Sequence, residues 1–201
     1  MLSINCKRRK SCRLCGSYIL KKAIDLKKTP LANSFLSKED INKREKLYPL
    51  RVNYCSSCHH LQLSHTVSAK SMFDSYLYLT NTSKQNRDHF KDYALDLSNR
   101  VKEKKKINIL DVASNDGTFL NFFDSKKFYK LGVDPARNLS VYAKKLHIKQ
   151  LVLYFNYQSS KLIKLKYGSF DIITANHVCA HVDDLNSFVR GVKNLLKSGG
   201  I

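Results

Sequence analysis

The chain has 201 residues, 43% of them hydrophobic, and a formal net charge of +20 from 36 Lys and Arg against 16 Asp and Glu. This composition excludes collagen-like and low-complexity chains and provides enough apolar residues for one large or two small packed domains. No apolar run reaches the roughly 18 residues of a membrane span, and no apolar stretch follows the basic segment 1–10 as in a secretory signal, so we expect a cytoplasmic protein without a membrane partner.

Two cysteine motifs lie in the first third of the chain. Cys12 and Cys15 form one C-x-x-C pair, and Cys55 and Cys58 form a second. Each pair brings two thiolates of one tight turn to the same metal ion, and two pairs complete a tetrahedral site. The spacing predicts a structural Zn²⁺. Because the 39 residues between the pairs exceed the usual gap, we expect an inserted loop or hairpin at 16–54.

Three other interpretations of the cysteines remain open at this point. Disulfide bonds require an oxidising compartment, which no export signal supports. The segment from Cys55 to His59 matches the C-x-x-C-H pattern of haem attachment, and each pair matches a redox motif. Neither of these explains why the motif occurs twice. His59 or His60 is an alternative metal ligand, although four cysteines already complete the coordination of zinc.

The chain divides into three predicted regions. Residues 1–68 form a zinc-binding domain with short strands at 48–54 and 60–66. Residues 69–105 form a helical connector, because apolar residues recur there with helical spacing and a charged run follows them. These apolar residues are Phe90, Tyr93, Ala94, Leu97 and Val101. Residues 106–201 form the third region.

Strand and helix patterns alternate through the third region. The predicted strands are 107–112, 129–134, 150–155 and 170–175. The predicted helices lie at 117–123, 139–146, 159–165 and 185–196, the last with Asp183 or Asp184 as its N-cap. Such alternation predicts an α/β fold with a Rossmann-like parallel sheet and right-handed crossovers.

The turn after the first strand of this sheet has the features of a cofactor loop. It reads Asp111-Val112-Ala113-Ser114-Asn115-Asp116-Gly117. The single Gly departs from the G-x-G-x-x-G pattern of dinucleotide sites, and the acidic residues favour a cationic ligand over a pyrophosphate. Asp134 follows the second strand, where a carboxylate can accept both hydroxyls of a ribose. These residues predict S-adenosylmethionine as the cofactor; an ordinary turn with a helix-capping Asp is the alternative.

The positive charge has two interpretations, a nucleic-acid surface or a solvated Lys-rich surface. Lys supplies 27 of the 36 basic residues, whereas proteins that bind nucleic acid favour Arg for bidentate contacts. The charge is also spread along the chain: residues 1–105 have 22 basic and 9 acidic side chains, and residues 106–201 have 14 and 7. We therefore favour the solvated surface and expect no nucleic-acid partner.

Taken in order, these motifs resemble the zinc-containing class I sugar C-methyltransferases, over nearly the whole chain. The similar N-terminal motifs are Cys12-Arg-Leu-Cys15-Gly16, Thr29-Pro-Leu-Ala-Asn-Ser-Phe-Leu36, Tyr48-Pro-Leu50, Cys55-Ser-Ser-Cys58 and Gln62-Leu63. Those that follow are Tyr76-Leu-Tyr78 with Ser83, Ser114-Asn-Asp-Gly-Thr118, Gly132-Val-Asp-Pro-Ala136 and the segment from Asp171 to Val182. The resemblance implies a partial class I methyltransferase sheet behind a small N-terminal zinc-binding domain.

The resemblance also implies roles for individual residues. The four motif cysteines would hold zinc. Ser114, Asn115 and Gly117 would contact the methionine part of the cofactor, Asp134 its ribose and Asn156 its adenine. The full implied cofactor-binding set is Asp111, Ala113, Ser114, Asn115, Gly117, Asp134, Asn156, Asn176 and His177.

Two further positions follow from the same comparison. Ala113 stands where the family usually has Gly, which adds a methyl group where the backbone must approach the cofactor closely. His181, after the fourth strand, is the catalytic candidate for stabilising an enolate or handling a proton. The alternative for His181 is a hydrogen bond to the start of the next helix.

The reaction implied by the family is C-methylation of a nucleotide-linked 4-keto deoxyhexose. The keto group acidifies the adjacent C–H, a general base removes that proton, and the enolate carbon attacks the cofactor methyl. In the family the base is a His well beyond the position of Ile201, and the sheet has further strands there. We therefore expect a truncated chain, inactive or incomplete alone, which comes from a split or decayed reading frame or is a deliberate fragment. In the split case, its C-terminal remainder is encoded separately.

Two other functional classes stay open. An RNA methyltransferase would suit the zinc motifs and the charge, but Asn176-His-Val-Cys179 differs from the Asn-Pro-Pro-type turn of its amino-methylating members. The other class is a non-enzymatic remnant that binds zinc and the cofactor.

Overall fold

The computed structural model describes residues 5–32, 34–74 and 76–201. Asn33 of the motif at 29–36 lies outside the described residues. The chain divides into two compact units, Met1–Leu77 and Tyr78–Ile201. None of the helices in the described ranges is both long enough and apolar enough to cross a membrane.

The first unit consists of two small antiparallel sheets. One contains, in this order, β2 (Leu20–Thr29), β3 (Tyr48–Cys55) and β4 (Leu61–Leu63), and the other pairs β1 (Cys6–Arg8) with β5 (His65–Val67). Helix α1 (Ala69–Phe73) follows β5. β2 and β3 form a hairpin between the cysteine motifs, and their register places Leu20 opposite Cys55. The start of β2 therefore lies beside the second motif.

The strand predicted at 60–66 is wrong as a single element, because the chain changes partner at Ser64. The Ser64 N–H donates to the carbonyl of Arg51 on β3, and the Ser64 carbonyl accepts the N–H of Arg9, both at 2.8 Å. β4 and β5 consequently belong to different sheets. An alternating sequence pattern reports which face a residue occupies and not which strand it pairs with.

The second unit is a four-stranded parallel sheet with helices on both faces. Its strands are β6 (Ile107–Val112), β7 (Phe128–Val133), β8 (Lys149–Leu151) and β9 (Ile172–Thr174), in the spatial order β8-β7-β6-β9. Its helices are α2 (Lys84–Arg100), α3 (Thr118–Asn121), α4 (Arg137–Lys145), α5 (Tyr157–Tyr167) and α6 (Leu185–Leu195). The α/β prediction is confirmed. The strand order reverses at β6, the point where doubly wound sheets bind ligands.

Two hydrophobic clusters cover the faces of this sheet. One packs α2 and α3 against Ile109 and includes Phe90, and the other packs α5 and α6 against Leu110 and includes Phe188. Consecutive residues of a strand point to opposite faces. β6 is therefore buried on both sides, which explains its continuous apolar run.

The strand predicted at 150–155 is wrong beyond Leu151. The Leu153 N–H donates to the Leu151 carbonyl at 3.1 Å in a tight turn, and the neighbouring strand β7 has already ended at Val133. No partner strand remains for the later residues. The strand predicted at 107–112 has the predicted bounds, and the other elements are present with shifted boundaries. Asp184 is the N-cap of α6, since its carboxylate accepts the N–H of Ser187 at 2.9 Å.

Candidate functional site

The four motif cysteines form one cluster in the first unit, with all sulfur atoms within 4.8 Å of one another. The two motifs interleave: Sγ of Cys12 lies 3.6 Å from that of Cys58, and Sγ of Cys15 lies 3.7 Å from that of Cys55. Zn–S bonds of about 2.3 Å in a tetrahedron require sulfurs about 3.8 Å apart. The cluster therefore fits zinc, with both motifs at a single centre. Haem attachment or a redox pair would need only one motif, so the shared centre favours the zinc interpretation.

Both cysteine turns have the same backbone geometry. The fourth residue after the first cysteine of each motif has a positive φ, 77° for Gly16 and 61° for His59. Its N–H donates to the carbonyl of that first cysteine, Cys12 or Cys55, at 3.0 and 2.9 Å. His59 thus occupies the turn position that Gly16 fills in the first motif, and the four cysteines alone form the metal-ligand cluster among the described residues.

Hydrogen bonds to the cysteine turns fix their positions. The buried side chain of Gln62 accepts the N–H of Arg13 at 2.7 Å and donates to the carbonyl of Ser11 at 3.0 Å. Burial would raise the pKa of Cys55, but the N–H groups of Cys58 and Ser57 outweigh it and bring that pKa to about 6. Although the N–H of His60 lowers it, contacts with the thiols of Cys15, Cys12 and Cys55 raise the pKa of Cys58 to about 12. One thiolate of the cluster therefore forms readily, and the remaining protons are released on metal binding. Sequence reasoning identified Gln62 as a motif residue and missed its role.

The cofactor loop, residues 113–117, leaves β6 in an irregular conformation. Its alternate residues Ala113, Asn115 and Gly117 have φ values of 62°, 50° and 80°. The N–H groups of Ala113 and Ser114 both donate to the carbonyl of Val133, at 2.8 and 3.1 Å. The loop is therefore folded against the carboxyl end of β7.

Gly132 on β7 provides the space for this loop. A Cβ atom at Gly132 would lie 2.4 Å from Oγ and 2.9 Å from Cβ of Ser114. A Cβ at Gly117 would lie 3.3 Å from Ala143 on α4, in addition to the strain of its positive φ. Sequence reasoning identified Gly117 as a site residue and placed Gly132 in a family motif, but it missed the role of Gly132, whose close neighbour Ser114 is 18 residues away in the chain.

We expect Gly132→Ala to disrupt the cofactor loop. The added methyl group forces Ser114 out of position, and such overpacking costs about 1–3 kcal/mol of stability. Unfolding in urea measures this cost. The double variant G132A/S114G removes both clashing atoms and should regain most of the loss. Equal stability of G132A and the unaltered chain would contradict the packing.

Ala113 has a positive φ of 62°, a conformation that suits glycine. Glycine is also the residue that the family usually has at this position. A left-handed conformation costs an L-residue about 1–2 kcal/mol, while a Gly adds about 0.4–1 kcal/mol of unfolded-state freedom. We expect Ala113→Gly to stabilise the chain by up to about 1 kcal/mol in the same urea assay. Ala94→Gly, within helix α2, is the control and should instead be destabilising. A loss of similar size in both variants would refute the strain at Ala113.

Asp134 fixes the loop from the end of β7. One carboxylate oxygen accepts the N–H of Asn115 and the other that of Ala136, both at 2.9 Å. Burial raises the pKa of Asp134, these two N–H groups lower it in part, and the charge of Asp116 raises it further. Ribose binding by Asp134 stays a prediction, and any hydroxyl must share oxygens that already hold the loop.

The side chain of Asn115, predicted to contact the methionine part, holds an earlier segment of the chain. Its amide oxygen accepts the N–H of Thr80, and its amide nitrogen donates to the carbonyl of Tyr78, both at 3.0 Å. Asp116 accepts the N–H of Asn81 at 3.0 Å. Residues 78–81 are thereby attached to the cofactor loop, and the contact of Asn115 with the methionine part stays a prediction.

Asp111 is one of four residues that are aligned on adjacent strands across the sheet, and three of the four have polar side chains. The strand registers align Thr174, Asp111, Gly132 and Gln150 on β9, β6, β7 and β8. The Thr174 hydroxyl donates to Asp111 at 2.7 Å. Burial raises the pKa of Asp111 to about 7, although Thr174 lowers it, and Asp134 raises it further. A cationic ligand nearby would favour the ionised form.

The remaining predicted residues lie in the loops after β8 and β9. Asn156 caps α5, accepting the N–H of Ser159 at 2.9 Å. Asn176 has a buried amide nitrogen without a hydrogen-bond partner, His177 is exposed with a φ of 54°, and His181 is exposed in a short 3-10 helix. Parallel strands place these loops at the same sheet edge as residues 113–117, and their ligand contacts stay predictions.

Comparisons with known proteins match both units. A family model described as a zinc binding domain matches residues 12–73, and one described as a methyltransferase domain matches residues 110–201. C-methyltransferase NovU of Streptomyces niveus is 26% identical over 190 residues, which cover 94% of this chain and 45% of the relative. The chain thus spans about half the length of this curated relative.

Two solved structures are also similar to this chain. The PH0226 protein from Pyrococcus horikoshii OT3 is 22% identical with a TM-score of 0.46, covering 61% of this chain and 55% of that one. A SAM-dependent methyltransferase from Agrobacterium tumefaciens is 12% identical with a TM-score of 0.47, covering 58% and 42%.

Proposed function

The chain belongs to the family of zinc-containing C-methyltransferases, and on that premise we propose that it takes part in methyl transfer from S-adenosylmethionine to a carbon of a nucleotide-linked 4-keto deoxysugar. The match to a C-methyltransferase along 94% of the chain carries this proposal, because it includes both the cysteine cluster and the parallel sheet. The deoxysugar is the family's substrate class, inferred from the ordered motifs.

The cofactor loop fits S-adenosylmethionine by its shape and charge. The loop 113–117, with its three positive φ values, lies at the point where the strand order reverses, and the nearby carboxylates of Asp111, Asp116 and Asp134 suit a ligand with ammonium and sulfonium charges. When bound, this cofactor supplies a methyl group on a positively charged sulfur, which retains the C–S electron pair after transfer. The loop backbone would hold the methionine part and Asp134 the ribose.

The loops after β8 and β9 complete the proposed site. Asn156 would lie near the adenine, and Asn176 and His177 would line the cofactor. The keto group makes the adjacent C–H acidic. Removal of that proton leaves an enolate, whose carbon forms the new bond to the methyl group. The imidazole of His181 is proposed to donate a hydrogen bond to the enolate oxygen or to take up the released proton.

The zinc centre has a structural function in this proposal. Cys12, Cys15, Cys55 and Cys58 fill all four positions of a tetrahedral ion, so no coordination site is left for substrate. Methyl transfer therefore depends on the second unit.

The test uses the folded, zinc-loaded 201-residue chain. Calorimetry should detect binding of S-adenosylhomocysteine. Mass spectrometry then tests for an added methyl group on a nucleotide-linked 4-keto-6-deoxyhexose incubated with S-adenosylmethionine, and we expect little or no transfer by the chain alone. Failure to bind S-adenosylhomocysteine would overturn the cofactor assignment. Methyl transfer to RNA, or to a small molecule other than such a sugar, would overturn the substrate assignment. His181→Ala should reduce transfer without reducing cofactor affinity.

A further inference from the structure

Gln150 connects the edge strand of the sheet to the cofactor loop. Its Nε2 group donates to Oγ of Ser114 at 2.9 Å and to the carbonyl oxygen of Asn115 at 2.7 Å. Both bonds span at least 35 residues of sequence. One side chain on β8 thus holds two successive residues of the loop that follows β6.

The orientation of this amide is determined by its partners. The Asn115 carbonyl only accepts hydrogen bonds, so the nitrogen of Gln150 and not its oxygen must face it. Oε1 of Gln150 is buried and has no hydrogen-bond partner. The polar contacts of this amide are therefore the two bonds that Nε2 makes to the loop.

The sheet register makes these contacts possible. Gln150 is aligned with Gly132 on the adjacent strand, and the missing side chain of Gly132 leaves the space that Ser114 occupies. Ser114 therefore lies against Gly132 and within reach of the Gln150 amide. Asn115, the second partner, is also held by Asp134 through its N–H.

We propose that Gln150 is a positioning residue for the cofactor site, which keeps residues 113–117 in the conformation that binds the methionine part of the cofactor. This inference rests on the proposed function. Gln150 acts through Ser114 and Asn115. Loss of its two hydrogen bonds frees the loop between Ala113 and Gly117, and a bound ligand must then order it again.

The test compares Gln150→Glu and Gln150→Leu with Gln158→Glu, an exposed glutamine on α5. Q150E keeps the shape of the side chain but replaces the donor with an acceptor that faces the Asn115 carbonyl. We expect both Gln150 variants to bind S-adenosylhomocysteine about tenfold more weakly, whereas binding of methylthioadenosine, which lacks the amino-acid part, changes less than about twofold. Q158E should match the unaltered chain for both ligands.

Amide hydrogen exchange provides a readout that does not require a ligand. Exchange at 113–117 should be faster in Q150E and Q150L, while α6 keeps its protection as a check of folding. Unchanged exchange in the loop, or equal affinity losses for both ligands, would overturn the positioning role. If the unaltered chain binds no S-adenosylhomocysteine, the proposed function and the cofactor role of Gln150 fail together; faster loop exchange then confirms only its contact with the loop.

Discussion

Substitution of one zinc ligand, Cys55→Ser, is expected to abolish zinc binding and unfold the first unit. In the described part of that unit, the buried hydrophobic side chains are Cys6, Cys12, Tyr48 and Cys55. Large apolar residues such as Tyr18 and Phe35 are 80% and 72% exposed. The unit has little apolar core of its own, so the metal must supply much of its folding free energy, about 10–16 kcal/mol in zinc-finger peptides at neutral pH.

Zinc content and hydrogen exchange measure this effect directly. The unaltered chain should contain one zinc per molecule and show protected amides in β3, whereas C55S should have neither. Cys179→Ser is the matched control, because Cys179 is an exposed cysteine of the second unit. Full zinc occupancy and protection in C55S would refute the four-cysteine centre. A strong chelator should reproduce the loss in the unaltered chain.

The predictions that succeeded rest on local patterns. Cysteine spacing determines which thiols share a turn, and the alternation of strands and helices determines a parallel sheet. The N-cap of α6 also follows from residues adjacent in the chain. These features are determined by residues that are close together in the sequence.

The features that sequence reasoning missed depend on contacts between distant strands. Gly132 is needed because Ser114 packs against β7, and Gln150 matters because β8 is aligned with that glycine. The carbonyl of Tyr78 is held by Asn115, 37 residues later. Burial and periodicity at one position contain no information about such partners, which become visible only when the sheet register is known.

Ionisation of Asp111 should lower the stability of the chain as the pH rises from about 4 to about 7. This carboxyl is buried within the sheet, its hydrogen-bond donor is the Thr174 hydroxyl, and burial raises its pKa to about 7. A group with a raised pKa in the folded state stabilises the fold fully below its unfolded pKa, near 4, and this stabilisation is lost as the pH rises to about 7. A shift of about three units corresponds to about 4 kcal/mol.

Asp111→Asn removes this titration and keeps an oxygen that can accept from Thr174. The new amide adds buried donors at a cost that does not vary with pH, so the diagnostic quantity is the pH dependence. Urea unfolding at pH 5, 6, 7 and 8 should show the stability of D111N rising relative to the unaltered chain by about 3 kcal/mol, because about two units of the pKa shift lie above pH 5.

The comparison between variants keeps this prediction specific to Asp111, because Asp134, whose pKa burial also raises, is present in both chains. Burial opposes ionisation of Asp171, but the N–H of Asn108 and the ammonium groups of Lys104 and Lys197 hold the pKa of Asp171 at about 2, so it does not titrate above pH 5. Asp88→Asn, on the exposed face of α2, should leave the pH dependence unchanged. Parallel curves for D111N and the unaltered chain would rule out the buried titration. The ionised Asp111 carboxylate should attract the cationic cofactor, so D111N should also bind S-adenosylmethionine more weakly above pH 7. The negative charge that lowers the stability of the fold would then be the charge that favours cofactor binding.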